Sequence, residues 1–341
     1  MDIDKCNINF GNLKIKTVYF GQYKVYEDTP PVPLYVTFSS PNTFTIAQAG
    51  TKKTWDGTLY YSTDAQNWNI WDGTTTLSSS STGDTKYLYM RGTGNSYITG
   101  DTSSRYWRIT GSNISISGNT ETLLDYQDVE LGNHPTIGTY AFTYWLYNNT
   151  SIVDCSNLIL GTPTLNDYCY YRMFESCTSL TTAPTISATT LATSCCNSMF
   201  FGCSSLTTPP ALPAMTMAQN CYYAMFYACT SLTTAPELPA ITLAYSCYSM
   251  MFYQCTNLTA LPALPATTLV EKCYRSMFEY ASKIKLSTTQ TGNYQTPYRI
   301  PISGIGTTAY DVLSYMFSGT GGTFAGTPAI NTTYYTSNEV I

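Results

Sequence analysis

The sequence predicts an α+β chain: an N-terminal β-hairpin anchor, an antiparallel β-sandwich, then an α/β solenoid of 26-residue period with a C-terminal cap. Three observations carry that expectation. A Met-Phe pair recurs at Met173/Phe174, Met199/Phe200, Met225/Phe226, Met251/Phe252 and Met277/Phe278, each 26 residues after the last. Two cysteine columns keep the same period, Cys169, Cys195, Cys221, Cys247, Cys273 and Cys177, Cys203, Cys229, Cys255. Ahead of them, residues 34–117 show short alternating apolar runs separated by turn-rich clusters, as antiparallel strands do.

In chain order, residues 1–33 form the anchor and its linker. Phe10-Gly11-Asn12-Leu13-Lys14-Ile15 is echoed by Phe20-Gly21-Gln22-Tyr23-Lys24-Val25, which reads as two hairpins or one meander. Glu27 to Pro33 is proline-rich and extended. Residues 34–118 are the sandwich, with runs at 35–38, 59–61, 68–71, 87–90 and 106–109. Trp68, Trp71 and Trp107 are assigned to its core, where large aromatics dominate.

Residues 119–280 carry the repeats. Leu243, Cys247, Met251 and Cys255 stand four apart, the spacing of one helix face. The same stripe places Cys195, Met199, Cys221, Met225, Cys247, Met251 and Cys255 in the core. Pro236 and Pro239 then forbid a helix, leaving a short extended segment. One helix plus one short strand per repeat is the leucine-rich-repeat plan. Trp145 to Ile152 is a degenerate first copy, and Tyr315-Met316-Phe317 restarts the phrase within the irregular final repeat and cap, 281–341.

Composition bounds the function. Only 11% of residues are charged and the net charge is −5, so nucleic acid is not an expected partner. No apolar stretch is long enough to insert in a membrane. The start, Met1 to Cys6, lacks the pattern of a secretory signal, so the thiols are expected to be reduced, free and buried. There is a single histidine, His134, and no Cys-x-x-Cys pair, so no metal site is expected. Nor does any Gly-rich phosphate loop call for a cofactor. Glu175 and Glu279 share a column but stand four repeats apart, and Glu237 and Glu271 share none, so no catalytic pair emerges and the chain is not expected to be an enzyme. What remains is a surface. Tyr222, Tyr248 and Tyr274 follow the first cysteine column, and Tyr227 and Tyr253 follow the phenylalanine. If exposed, they are ladders of rings for a sugar or a protein; if not, they fill the packing between repeats. The Thr181/Thr182, Thr207/Thr208 and Thr233/Thr234 columns leave the same choice open.

The phrase Met225-Phe226-x-x-Cys229-Thr230-Ser231-Leu232-Thr233, with Pro236, Leu238, Pro239 and Thr242-Leu243, resembles the BspA-like leucine-rich repeats. Its Met-Phe variety is similar to proteins of gut Bacteroidales and their phages, and the Phe-Gly echo resembles the openings of phage virion proteins. The resemblance implies a virion structural protein, a tail- or head-fibre-like appendage assembled in the host cytoplasm. Residues 1–33 would join other virion proteins, and the repeats would bind a host-surface glycan or protein. Self-association is left open. The alternative is an adhesin at the bacterial cell surface.

Overall fold

The computed structural model describes residues 17–20, 23–27, 33–50, 53–101, 104–300, 311–330 and 332–337, in two units, 1–33 and 34–341. In the first unit β1 (Thr17–Phe20) and β2 (Tyr23–Glu27) pair antiparallel, with a bulge between Val18 and Tyr19. The Phe10–Ile15 segment and most of the proline linker lie outside the described residues.

The second unit opens with β3 (Val36–Ser40), β4 (Thr45–Gln48), β5 (Thr58–Ser62), β6 (Asn69–Trp71), β7 (Leu77–Ser78), β8 (Lys86–Thr93), β9 (Trp107–Thr110) and β10 (Ile114–Asn119). Strands β10, β3, β8, β5 and β6 lie side by side, each antiparallel to the next. A smaller antiparallel sheet has the order β7-β4-β9. Alternation decides the faces: Leu88 and Met90 of β8 are buried, and Tyr87, Tyr89 and Arg91 point the other way. Trp55 stacks on Trp71, whose ring meets Trp107 edge-on, and Trp107 meets Trp145 in the same way at 5.3 Å. Trp71 and Trp107 are buried; Trp68 is not in the core but half-exposed on the outer face.

After β10 comes α1 (Glu121–Glu130), the one helix among the described residues, broken at Asp125 (φ −152°, ψ 105°). Gly92 lets it approach β8, since a Cβ there would fall 1.9 Å from the Leu123 carbonyl oxygen. The sheet does not end here. β10 pairs parallel with β11 (Ile152–Asp154) and β12 (Leu158–Leu160), and β12 pairs parallel with β13 (Thr185–Ile186). The expected self-contained sandwich is thus continuous with the repeats, and a single buried cluster runs from Val36 to Tyr334.

The largest correction concerns the repeats. Residues 131–300, which carry the repeat phrases, hold no α-helix, so neither the α+β class nor the helical leucine-rich-repeat solenoid is what the chain forms. Where a helix was expected there is a ribbon of consecutive turns with a left-handed residue at every fourth position. Asn220, Ala224 and Ala228 have φ of 53°, 50° and 57°, and Ser246, Met250 and Gln254 repeat this at 53°, 57° and 59°. Alternate amides take different partners. Cys221, Tyr223, Met225, Tyr227 and Cys229 donate to the carbonyl three residues back. Asn220, Tyr222, Ala224, Phe226 and Ala228 donate to Tyr245, Cys247, Ser249, Met251 and Tyr253 of the following layer. Each four-residue step turns the cysteine or methionine and the residue after it inward: Cys221 and Tyr222, then Met225 and Phe226, are buried, with the small left-handed Ala224 covered between them. Stripe residues four apart still face inward, which is why the apolar pattern imitates a helix.

The layers are held on all sides. Phe174, Phe200, Phe226, Phe252, Phe278 and Phe317 stack at 5.4–5.8 Å with ring planes within 12° of parallel, adding aromatic attraction to area burial. The Cys177, Cys203, Cys229 and Cys255 thiols donate to the Leu146, Phe174, Phe200 and Phe226 carbonyls at 3.0–3.2 Å. On the extended side Thr164 bridges Thr190, Thr182 bridges Thr208 and Thr216 bridges Thr242, all parallel. Thr207 and Thr259 hydroxyls donate to the Thr181 and Thr233 carbonyls.

Both ends of the stack are closed. The carbonyls of the first ribbon accept from Ile98 (to Ala141), the Thr99 hydroxyl (to Thr143) and Trp107 (to Trp145). The last ribbon, 311–319, takes the amides of Tyr274, Ser276, Phe278 and Tyr280. Its own outgoing amides, Tyr315 and Phe317, are satisfied by Thr327 and Gly326. Beside it β14 (Lys285–Ser287), β15 (Tyr294–Arg299), β16 (Gly321–Gly322) and β17 (Thr333–Ser337) form a sheet of order β15-β17-β14-β16.

Two substitutions test the ribbon. Replacing Ala228 by Gly relieves a left-handed conformation that costs a side chain about 1–2 kcal/mol, less glycine's greater entropy loss of about 0.5–1 kcal/mol. Urea denaturation of Ala228→Gly should therefore show a gain of up to about 1.5 kcal/mol, whereas a helix interior would lose about 1 kcal/mol. Cys229→Val, which leaves the Phe200 carbonyl without a donor, should cost about 1–3 kcal/mol by the same measurement. Cys229→Ser, which keeps the donor, should lose less.

Candidate functional site

The repeats sort the tyrosines by position in the four-residue step. Tyr222, Tyr248 and Tyr274 fall on an inward position and are buried, stacked 6.0–6.1 Å apart. They belong to the packing and cannot reach a ligand, which corrects their reading as candidate binding residues. The Tyr222 hydroxyl is buried without a hydrogen-bond partner. Tyr227 and Tyr253 fall on an outward position and are half-buried. They continue a row that starts at Phe201: Phe201 to Tyr227 is 4.4 Å and Tyr227 to Tyr253 is 4.5 Å, both near parallel, and Tyr280 closes it edge-on. Rings stacked this closely cover each other's faces. The row therefore offers ring edges and phenol hydroxyls rather than flat plates.

A second row crosses the first layers. Tyr106, Tyr147, Tyr144, Tyr171 and Tyr168 meet at successive centroid distances of 5.5, 5.4, 5.6 and 5.8 Å, with ring planes turned by 74–89°. Tyr140 stacks on Tyr168 at 5.0 Å. All six are half-buried, so each ring is fixed by a neighbour yet reachable from one side. Sequence reasoning missed this row because its members come from different columns. For the first row the available signal was Phe201, which stands 26 residues before Tyr227.

Charges are sparse and local. Arg172 clasps Glu175 through one nitrogen at 3.1 and 3.2 Å and lies over the Tyr171 ring. Burial pushes the Glu175 carboxyl up against the pull of Arg172. Lys272 donates to the Tyr245 hydroxyl at 2.9 Å. Desolvation, with neighbouring phenols, pushes Tyr144 and Tyr253 up to about 12.

Elsewhere the extended side forms shallow grooves between successive proline edges. Two of them, about 300 and 330 Å³, share Pro236, Glu237 and Pro239. His134 Nδ1 lies 2.7 Å from an oxygen of the buried Glu121 carboxyl, whose other oxygen accepts from Asn119. That pair fastens the loop after α1 to the start of the helix. Cys195, Met199, Cys221, Met225, Cys247, Met251 and Cys255 are all buried to 0% exposure. Among the described residues no three His, Cys, Asp or Glu side chains are grouped to hold a metal, and no helix is long and apolar enough to cross a membrane. The threonine columns spend hydroxyls on the preceding layer's carbonyls. No family model, curated protein or solved structure matches the chain.

The thiols give a chemical test. Desolvation pushes Cys177, Cys247, Cys255 and Cys273 up to about 12, and the eleven described cysteines are all buried and free. A thiolate reagent at pH 8 should leave them unmodified in the native protein, since only the thiolate reacts. All should label after denaturation; rapid native labelling of Cys229 or Cys255 would place that column at the surface.

Proposed function

We propose that this chain is a non-catalytic attachment protein, a tail- or head-fibre-like appendage of a phage particle that holds a host-surface glycan or protein. The observation that carries the binding role is the tyrosine face: two rows of packed rings, most of them half-buried, that run across the layers. Such rings contribute large contact area at low entropy cost because they are already immobilised. The particle role is supported by the repeat phrase and the Phe-Gly echo. In this reading residues 1–33 join other virion proteins, since a small hairpin has unpaired edges that can add to a partner's sheet.

Binding of the labelled full chain to intact gut Bacteroidales cells tests the first part. The combined Tyr144→Ala, Tyr171→Ala, Tyr227→Ala and Tyr253→Ala variant, still folded by circular dichroism, should bind at least about tenfold more weakly, a loss of some 1.4 kcal/mol. Unchanged binding would remove the tyrosine face from the proposal. Mass spectrometry of purified particles tests the second part. A chain found in the particle, and lost from it on deletion of residues 1–33, is the expected result. A chain found on bacterial cells and absent from particles would make it a cell-surface adhesin.

A further inference from the structure

The outer face of the first sheet holds a constellation that the tyrosine rows do not include. Arg91 points outward from β8, opposite Tyr60 of β5. Its guanidinium carbon lies 4.0 Å from the ring centre of Trp68 and 4.0 Å from that of Tyr126. Both faces of the cation are therefore covered. Its Nε is buried without a hydrogen-bond partner, and among the described residues no carboxylate lies within ion-pairing distance of it. Acids close in sequence to the ring partners are otherwise engaged: Asp72 accepts from Thr74 and Thr75. Asp64 accepts from Ser62, Gln66 and Asn67, and Asp125 accepts from the Gly94, Gln127 and Asp128 amides.

Both plates are held in place by two of those acids. The Asp64 turn delivers Trp68, and its hydrogen bonds hold the Asp64 carboxyl well below the usual carboxylate range. The break at Asp125 delivers Tyr126. Beside them Tyr35 meets Trp68 at 5.9 Å and Tyr89 at 5.1 Å, and Tyr89 stacks parallel on the more exposed Tyr87.

We propose that Arg91, framed by Trp68 and Tyr126 and flanked by Tyr35 and Tyr89, is a binding site for a carboxylated sugar unit of an acidic glycan. Aromatic plates on both faces leave the guanidinium only its in-plane N–H groups, which match the two oxygens of a carboxylate. A half-buried cation with no ion-pair partner among the described residues is complementary to an anion from outside. One fork suits one carboxylate; a polyphosphate chain would need a cluster of cations. The neighbouring tyrosines supply ring surface and hydroxyls for the sugar. This site lies apart from the tyrosine rows and does not rest on their role.

Titration calorimetry of the full chain with trigalacturonic acid and with 3′-sialyllactose tests it. The controls are the methyl ester of the first, lactose, and a hexaglutamate peptide. At least one acidic sugar should bind, its neutral counterpart about tenfold or more weakly, and the affinity should fall as salt rises. Arg91→Lys keeps the charge without the fork and should weaken binding about tenfold; Arg91→Met should abolish it at an unchanged melting temperature. If Arg91→Met fails to fold, the acid-against-neutral comparison on the native chain decides. Binding by neither acidic sugar, equal binding of the neutral forms, tighter binding of the peptide, or full binding by a folded Arg91→Met would each overturn the proposal.

Discussion

Half of the backbone amides in each turn ribbon have no acceptor in their own layer. Asn220, Tyr222, Ala224, Phe226 and Ala228 find theirs only in the ribbon that follows. A buried amide without a partner is costly, so a single layer cannot stand alone. The rest of the molecule answers to this constraint. The segment after β8, and β9 of the smaller sheet, donate to the opening ribbon through Ile98, Thr99 and Trp107. The segment after residue 319 returns so that Gly326 and Thr327 can accept from the closing one. The cysteine column, set among residues chosen for volume, also serves as a hydrogen-bond donor, each thiol reaching a carbonyl of the layer before.

The inward column was legible and its conformation was not. Cys221, Met225 and Cys229 stand four apart, and both a helix of 3.6 residues per turn and a ribbon of four-residue steps bury such a stripe. The two differ in what they do over distance: the helical stripe drifts by about 40° per step and the ribbon does not. The distinguishing sign lay at the left-handed positions, where Ser194, Ser198, Gly202, Asn220, Ala224 and Ala228 are mostly small or polar. Gly and Asn tolerate that conformation best, but Ala and Ser do not advertise it. The misreading explains the split among the tyrosines. Tyr222 is one residue beyond a buried cysteine and Tyr227 one beyond a buried phenylalanine. In the four-residue step the position after the cysteine faces in and the position after the phenylalanine faces out.

The surface has its own economy of means. With 11% of residues charged, aromatic rings are prominent at the surface, and the fold holds them in two ways. Along the layers, rings from equivalent positions stack and hide their faces, as Phe201, Tyr227 and Tyr253 do. On the first sheet, rings from unrelated segments clamp Arg91. The clamp was invisible in sequence because β8, the Asp64 turn and the broken helix meet only in space, and Trp68 alone looked like a core residue.

The alternation of amides also sets a rule of parity. Insert one residue into a ribbon and every later amide exchanges its role, those bound for the neighbour turning inward and the reverse. Such a ribbon changes length in whole steps, or the chain lengthens by a complete layer through duplication. The extended side carries no such restriction. Between Met277 and Met316 the phrase returns after 39 residues instead of 26, and Phe317 still stacks on Phe278 at 5.8 Å. Variation in this architecture is therefore channelled: quantised on the tyrosine side, where the rings must keep their rows, and continuous on the side opposite, where loops of any length can be let out.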